Sequence, residues 1–596
     1  MKTQSFFPGW LVSALLLTWA GAASLSAATD AKQLWVEKLP GEARWHALTG
    51  LGTLVVGTPD AIVGYDPESG QQLWQRPEFK KTSPFNAREI PGTPYLLCYS
   101  SEGFAGLAKV TFVELDYLSG RNVWQTPPTQ GQFLGTVPVP EKGLVLLLLN
   151  SNGPDGKDAG TWIEAFDMAS GAQKWARKIA KPGQIRLHVA DNSGKFIPTT
   201  DLSGYHDPVV EGDCIYLPYL GCHCLDLTTG AIKWGAEMIS GGSELKKAHA
   251  PLRIEGDRIY GSAGGSVYAL DKNTGAVVWK SDRISAYAGL LKARDNALVS
   301  QLEIAGGKIW ARFGGYFSTG SAVVLREPLG IVALNPANGE AVYHFDKAKE
   351  GLTNLMVLPE TNTIMFADAT TLYGIDTAAP QPTEAFAVPI EFKRKMGGAD
   401  MAKIGLGLTG GLMGLGKAVV SSSKSRLDVP VAVLRQGGHV IVQGKQHLLG
   451  FDPLAKTEKW SLFYGAPSDA WGTVVMFAVT AAASAVGNAQ VAQSGSILTT
   501  QGSQGMNNIQ SALDRYNSYT EKRAARLAQS KSTDAYTYIL TKVGKGGIGL
   551  YGVNLATGET DRELELGSKE PDYLADEQAG RIFYFKDKEA MVCYQF

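Results

Sequence analysis

Short apolar runs alternate with polar turns along the chain, and one such pattern returns with variations over most of its length. Its clearest copy, VYALDKNTGAVVW at 267–279, reads as a strand, an Asp-x-x-Thr-Gly turn and a second strand ending in tryptophan. Relatives are IVGYDPESGQQLW, FVELDYLSGRNVW, IEAFDMASGAQKW, CHCLDLTTGAIKW, IVALNPANGEAVY, LLGFDPLAKTEKW and LYGVNLATGET, with a degenerate LYGIDTAAP. The turn-initiating residues are Asp66, Asp116, Asp167, Asp226, Asp271, Asn335, Asp376, Asp452 and Asn554. The side-chain oxygen at this position is predicted to cap the turn amides, and the glycine four residues on, Gly275 in the clearest copy, to take the positive φ.

Around the turn residue the pattern behaves like a packing code. The residue before it is large and apolar: Tyr65, Leu115, Phe166, Leu225, Leu270, Leu334, Ile375, Phe451, Val553. Two before it stands a small residue, Gly64, Ala165, Cys224, Ala269, Ala333, Gly374, Gly450 or Gly552, with Glu114 the exception. Eight after it comes Trp74, Trp124, Trp175, Trp234, Trp279 or Trp460, with Tyr343 as a substitute. Large and tiny residues on opposite faces of one strand predict sheets stacked closely on both sides, and a ring at each repeat covers the seam between neighbours. The chain ends as a repeat begins, MVCYQ at 591–595, and starts as one ends, with Gln33, Leu34 and Trp35 as the returning strand. Both termini are therefore expected to complete one sheet and close a ring.

This A-x-D-x-x-T-G-x-x-x-W pattern resembles the tryptophan-docking repeat of the quinoprotein (PQQ-like) β-propeller superfamily. That superfamily includes quinoprotein alcohol dehydrogenases and the propeller lipoprotein of the outer-membrane barrel-assembly machinery. The resemblance implies an all-β fold, a single closed propeller spanning 29–596. Ten blade-like units are counted, spaced about 47 residues apart once two insertions are set aside, whereas eight is the family expectation.

The insertions, 395–427 and 463–534, follow consecutive units, and such connections emerge on one face of a propeller. The first contains the Gly-rich apolar run KIGLGLTGGLMGLGKAVV, with Leu406, Leu408, Leu412, Met413 and Leu415. The second opens with AWGTVVMFAVTAAASAVG, carrying Trp471, Val474, Val475, Phe477 and Val479, and is expected to form helix, as is 507–531. Net charge is −1 overall, yet residues 393–426 and 463–533 hold twelve Lys or Arg against four acids, which leaves the rest of the wheel acidic. Two outcomes stay open: the segments bury each other on the wheel, or they form an apolar, basic cap that meets an envelope protein or an anionic membrane surface.

Residues 1–28 read as a signal peptide: Lys2, an apolar stretch from Trp10 to Trp19, then Ser26-Ala27-Ala28 at a cleavage site. An exported protein is expected, periplasmic or extracellular, with membrane association an option. Balanced charge, 56 Lys plus Arg against 57 Asp plus Glu, argues against a nucleic-acid binder.

Candidate chemistry is sparse. The superfamily's enzymes lead one to expect adjacent cysteines, a calcium-binding Glu and Asn and a catalytic Asp; no adjacent cysteines exist and no calcium or catalytic motif can be placed. Cys214, Cys222, His223 and Cys224 have the look of metal ligands, but aligning their segment on 257–271 makes the three cysteines core positions. In a two-residue hairpin Cys214 would face His223, away from Cys222 and Cys224. No catalytic, cofactor-binding or metal residue is assigned. The preferred reading is a non-enzymatic binding or assembly scaffold without cofactor. The alternative, a PQQ- and calcium-dependent oxidoreductase with divergent site residues, would gain cofactor absorbance on reconstitution.

Overall fold

In the computed structural model the described residues are 29–596 apart from 83–86, 91–92, 103–108, 181–186, 191–195, 200–207, 219–220, 237–249, 285–298, 320–321, 349, 391, 393–428, 437–438, 445–446, 465–535, 545–546, 569–570 and 577–578. Both insertions fall almost wholly outside them, so the expected helices there lie beyond the described residues.

The repeat unit folds as an antiparallel sheet in which the turn residue joins the third strand to the fourth. Ten such blades follow one another: 45–76, 87–125, 129–180, 209–236, 253–280, 299–345, 356–389, 432–463, 536–565, and a tenth built from 573–595 plus the N-terminal strand Lys32–Lys38. The ten-unit count therefore holds over the family expectation of eight. Blades 2 and 3 form one continuous sheet, because the strand Thr129–Val139 pairs first with blade 2 (Thr129 with Val110) before running into blade 3. Blade 9 shows three antiparallel strands, and Thr29–Asp30 adds to its outer edge in parallel (Thr29 with Arg562).

The ring is closed by packing as well as by pairing. Each of its ten seams holds one apolar cluster drawn from the two flanking blades, from Val55, Trp74, Leu96 and Leu115 between blades 1 and 2 to Leu54, Val63, Phe583 and Met591 between blades 10 and 1. The second and third strands are buried on both faces, so they read as nearly continuous apolar runs such as LVLLLLN in blade 3. In blade 10, Lys32–Lys38 pairs antiparallel with Ala590–Gln595, setting Trp35 opposite Cys593. The two chain ends thus share a sheet.

The small position has a partner within its own blade. Gly64 lies opposite Trp74, Ala165 opposite Trp175, Cys224 opposite Trp234, Ala269 opposite Trp279 and Gly450 opposite Trp460. A Cβ on Gly64 would collide with the Trp74 ring, which explains why that site tolerates only small residues. A one-residue bulge beside each pair advances the ring toward the next blade. There the indole N–H docks on the main-chain carbonyl just after the neighbour's turn residue: Trp74 on Tyr117 (2.7 Å), Trp124 on Met168 (2.8 Å), Trp175 on Leu227 (2.9 Å), Trp279 on Pro336 (2.8 Å). Trp35, Trp234 and Trp460 do the same on Pro67, Lys272 and Leu555. The ring lies over the neighbour's turn glycine. Gly275, at φ 71°, would bring any Cβ into Trp234, so both conformation and contact require glycine.

Two blades depart from the code. In blade 7 the longer turn moves Phe386 opposite Gly374, and in blade 9 Arg562 stands opposite Gly552, its guanidinium 3.6 Å from the Tyr536 ring centroid and bonded to the Tyr538 hydroxyl (2.6 Å). Glu114 keeps the small position's register, opposite Trp124. The register of blade 4 corrects the expectation that Cys214 faces His223: four residues, not two, join the strands, so Cys214 pairs with Asp226 and shares a sheet face with Cys222 and Cys224.

Candidate interaction face

Strand direction sorts the loops onto two ends of the wheel. In the blades formed by four consecutive strands, the turn between strands one and two and the Asp turn between strands three and four leave at one end. The turn between strands two and three and the connection to the next blade leave at the other.

The Asp end is closed on itself. Asp271 Oδ1 accepts the amides of Asn273 (3.1 Å) and Thr274 (2.9 Å) and the Thr274 hydroxyl (2.9 Å). Asp66, Asp116, Asp167, Asp226 and Asp452 accept their own turn amides in the same way. At Asp226 the Thr229 amide, then the Lys233 ammonium and the Thr229 hydroxyl, hold the carboxyl down at about 2. Such turns have their polar groups satisfied internally.

The opposite end carries the departures from the repeat. Between blades 3 and 4 stands an added hairpin, Leu187–Ala190 with Phe196–Thr199. In blade 6 the second and third strands, Lys308–Thr319 and Ala322–Leu334, stay paired out to Thr319 and Ala322. Their flanking strands pair only as far as Phe313 and Ile331. At this end too the chain leaves blade 7 at Pro389 to rejoin the wheel at Ala432, and leaves blade 8 at Phe463; it rejoins at Tyr536, which pairs with Asn554 and so lies at the Asp end. The first insertion is therefore attached here by both of its ends, and the second, on the consecutive blade, by its start. Leu406, Leu408, Leu412, Met413, Leu415, Trp471, Val474, Val475, Phe477 and Val479 themselves lie outside the described residues. Among the described residues no helix is long and apolar enough to cross a membrane.

Polar groups on and beside the blades' first strands are bound to one another. Arg253 bridges two blades through both carboxylate oxygens of Glu303 (2.9 and 3.3 Å), and Gln301 exchanges hydrogen bonds with the Leu355 main chain (2.8 Å each way). On the first strand of blade 1, His46 Nε2 meets Asp572 Oδ1 at 2.7 Å with its ring stacked on Phe585. On the second strand of blade 6, Arg312 is fully buried and donates to Ser300 Oγ and the Thr353 carbonyl. Among the described residues no group of three or more His, Cys, Asp or Glu side chains converges on a metal-sized site.

Two buried acids were not legible as such in the sequence. Glu114 and Glu164 are almost completely buried; neither oxygen of Glu114 has a hydrogen-bond partner, while Glu164 accepts from Gln173 Nε2 at 2.8 Å. Burial pushes Glu114 up to about 9 and Glu164 up to about 7. Both therefore hold a proton under mildly acidic conditions, Glu114 also at neutral pH.

Comparison with known proteins places this architecture. The family described as outer membrane protein assembly factor BamB matches residues 20–195 and 159–349, together more than half of the chain. Among solved structures, BamB from Moraxella catarrhalis is similar at 13% identity, covering 71% of this chain and 97% of that one, TM-score 0.32. Quinohemoprotein alcohol dehydrogenase ADHIIG from Pseudomonas putida HK5 is similar at 12% identity, covering 95% of this chain and 76% of that one, TM-score 0.30. No curated protein matches the sequence.

Proposed function

The chain belongs to the family of outer membrane protein assembly factor BamB, and on that premise we propose that it is an exported, non-enzymatic scaffold that docks an envelope protein on the decorated end of its wheel. The observation that carries this reading is the segregation of loops. Turns at one end satisfy their own polar groups, whereas the added hairpin, the elongated hairpin, both attachment points of the first insertion and the start of the second share the other. A scaffold needs a rigid frame and one variable surface, and blades locked by docked tryptophans supply the frame.

The insertions are the proposed contact elements. Their apolar residues, Leu406, Leu408, Leu412, Met413, Leu415, Trp471, Val474, Val475, Phe477 and Val479, stand among the twelve basic residues of 393–426 and 463–533, a composition suited to an acidic partner surface or an anionic membrane. Residues 1–28 direct export on this reading.

The test removes 403–420 and 470–492 together, bridging each gap with a short Gly-Ser linker. Because loop closure depends only weakly on length, the wheel is expected to keep its β-type circular dichroism while losing its co-purifying envelope partner and its binding to anionic vesicles. Binding by the intact protein should weaken with salt. Retained binding by the trimmed form, or no envelope component captured by the intact one, overturns the proposal.

A further inference from the structure

Seven of the ten seams are locked at the rim by the same two-part device. An indole docks on the carbonyl just after the next blade's turn residue, and its ring lies over a glycine in that turn. Where one part is missing, so is the other. Between blades 6 and 7 the ring position holds Tyr343, opposite Ala333, and the receiving turn has Pro380 where the others have glycine. Between blades 7 and 8 it holds Phe386, and the receiving turn has Lys456, whose φ of 57° is a left-handed value that glycine takes without strain. The Lys456 Cβ is accommodated because no indole lies over this turn. The third seam of this kind, between blades 9 and 10, has Arg562 at the ring position and is bridged instead by Thr29–Asp30, which pairs with blade 9 and runs on into the outer strand of blade 10. Among the described residues, blade 7 is therefore the one blade with no docked indole on either side.

Its hold lies nearer the axis, where the first strands of a propeller stand, the fourth strands forming the rim. Toward blade 6, Gln301 exchanges its two hydrogen bonds with the Leu355 main chain, and Arg312 donates to the Thr353 carbonyl at 2.8 Å. Lys308, from the second strand of blade 6, takes the Thr377 carbonyl at 3.0 Å, the acceptor that an indole would use. Toward blade 8, Asn354 donates to the Val433 carbonyl and accepts the Val433 amide, both at 2.9 Å and both buried. Farther out, Phe386 packs on Phe451 (centroids 5.4 Å apart) and Lys456 Nζ stands 3.5 Å from the Ala385 carbonyl at an exposed position.

We propose that blade 7 is a hinged leaf, pinned along its first strand and able to swing at its rim as one cooperative unit. The chain leaves that rim at Pro389 and rejoins the wheel at Ala432, on the first strand of blade 8 to which Asn354 is bonded. A swing of the rim moves one anchor of residues 390–431 while the other stays fixed, so it changes the span that this segment bridges.

Hydrogen exchange of the full-length protein, read peptide by peptide by mass spectrometry and corrected for intrinsic rates, tests this. Amides of 371–376 and 383–389 should exchange about tenfold or more faster than the matching strands of blades 1, 4 and 5, each flanked by two docked indoles. Residues 353–358 should stay as protected as the first strands of those blades. Phe386→Trp combined with Lys456→Gly supplies both parts of the lock between blades 7 and 8, where Phe386 already stands opposite Gly374 beside the same bulge and Pro453 carries the receiving carbonyl. The pair should recover most of the missing protection, and either change alone little of it, with circular dichroism confirming that each variant is folded. Equal protection of blades 7, 1, 4 and 5, loss of protection along 353–358 together with the rim, or a double variant that exchanges like the wild type overturns the proposal. The readout needs no partner, so its outcome is separate from that of the docking test.

Discussion

Replacing Glu114 by glutamine is expected to stabilise the wheel at neutral pH and to leave it almost unchanged in mild acid. Glu114 stands where the other tryptophan-bearing blades have Gly, Ala or Cys, fully buried beside Trp124, with neither carboxyl oxygen hydrogen-bonded. Burial raises its pKa to about 9; the neighbouring Trp124 indole, whose N–H is already donated to Met168, pulls slightly against this, and the charge of Asp167 adds to it. In the unfolded chain the same group ionises near 4.5. Because the folded value is the higher one, the unfolded state loses its proton first as pH rises. The cost to stability is absent below about pH 4.5 and grows until the folded group itself ionises near 9. At pH 7 the gap of roughly 2.5 pH units, at about 1.36 kcal/mol each, amounts to ~3 kcal/mol. Glutamine keeps the shape and abolishes the ionisation. Urea unfolding followed by tryptophan fluorescence, run from pH 4.5 to 8.5 on both proteins, should give curves that coincide in acid and separate with rising pH. Glu164, present in both proteins, cancels from the difference. Parallel pH profiles, or a glutamine variant less stable at pH 7, would refute the assignment of a neutral buried acid.

Trp279→Ala should cost about 3 to 5 kcal/mol in urea unfolding, since it empties the seam between blades 5 and 6 and orphans the Pro336 carbonyl; a loss below ~1 kcal/mol would show the ring to be dispensable. Deleting 32–37 removes the outer strand of blade 10 together with Trp35, which docks on Pro67, so the melting midpoint should drop sharply, and an unchanged melting curve would mean that closure contributes nothing.

Much of the architecture follows from the chain's local pattern. The Asp turn, the glycine with positive φ and the alternation of large and small residues all act within some fifteen residues, where backbone sterics and side-chain capping decide the outcome without help from the rest of the molecule. The split repeat at the two ends was readable for the same reason, since MVCYQ and QLW are two halves of one unit. Tertiary structure decided what strand register and the neighbouring blades bring together. It determined that Trp74 sits over Gly64 in its own blade yet donates to Tyr117 in the next, and that one strand fuses blades 2 and 3. It left Glu114 in register but without a hydrogen-bond partner, and set Lys233 against Cys214 across an intervening strand. A strand's pattern states which residues are buried. What they are buried against is fixed by register and by the curvature of a closed ring, and those are properties of ten blades packed together, not of any one repeat.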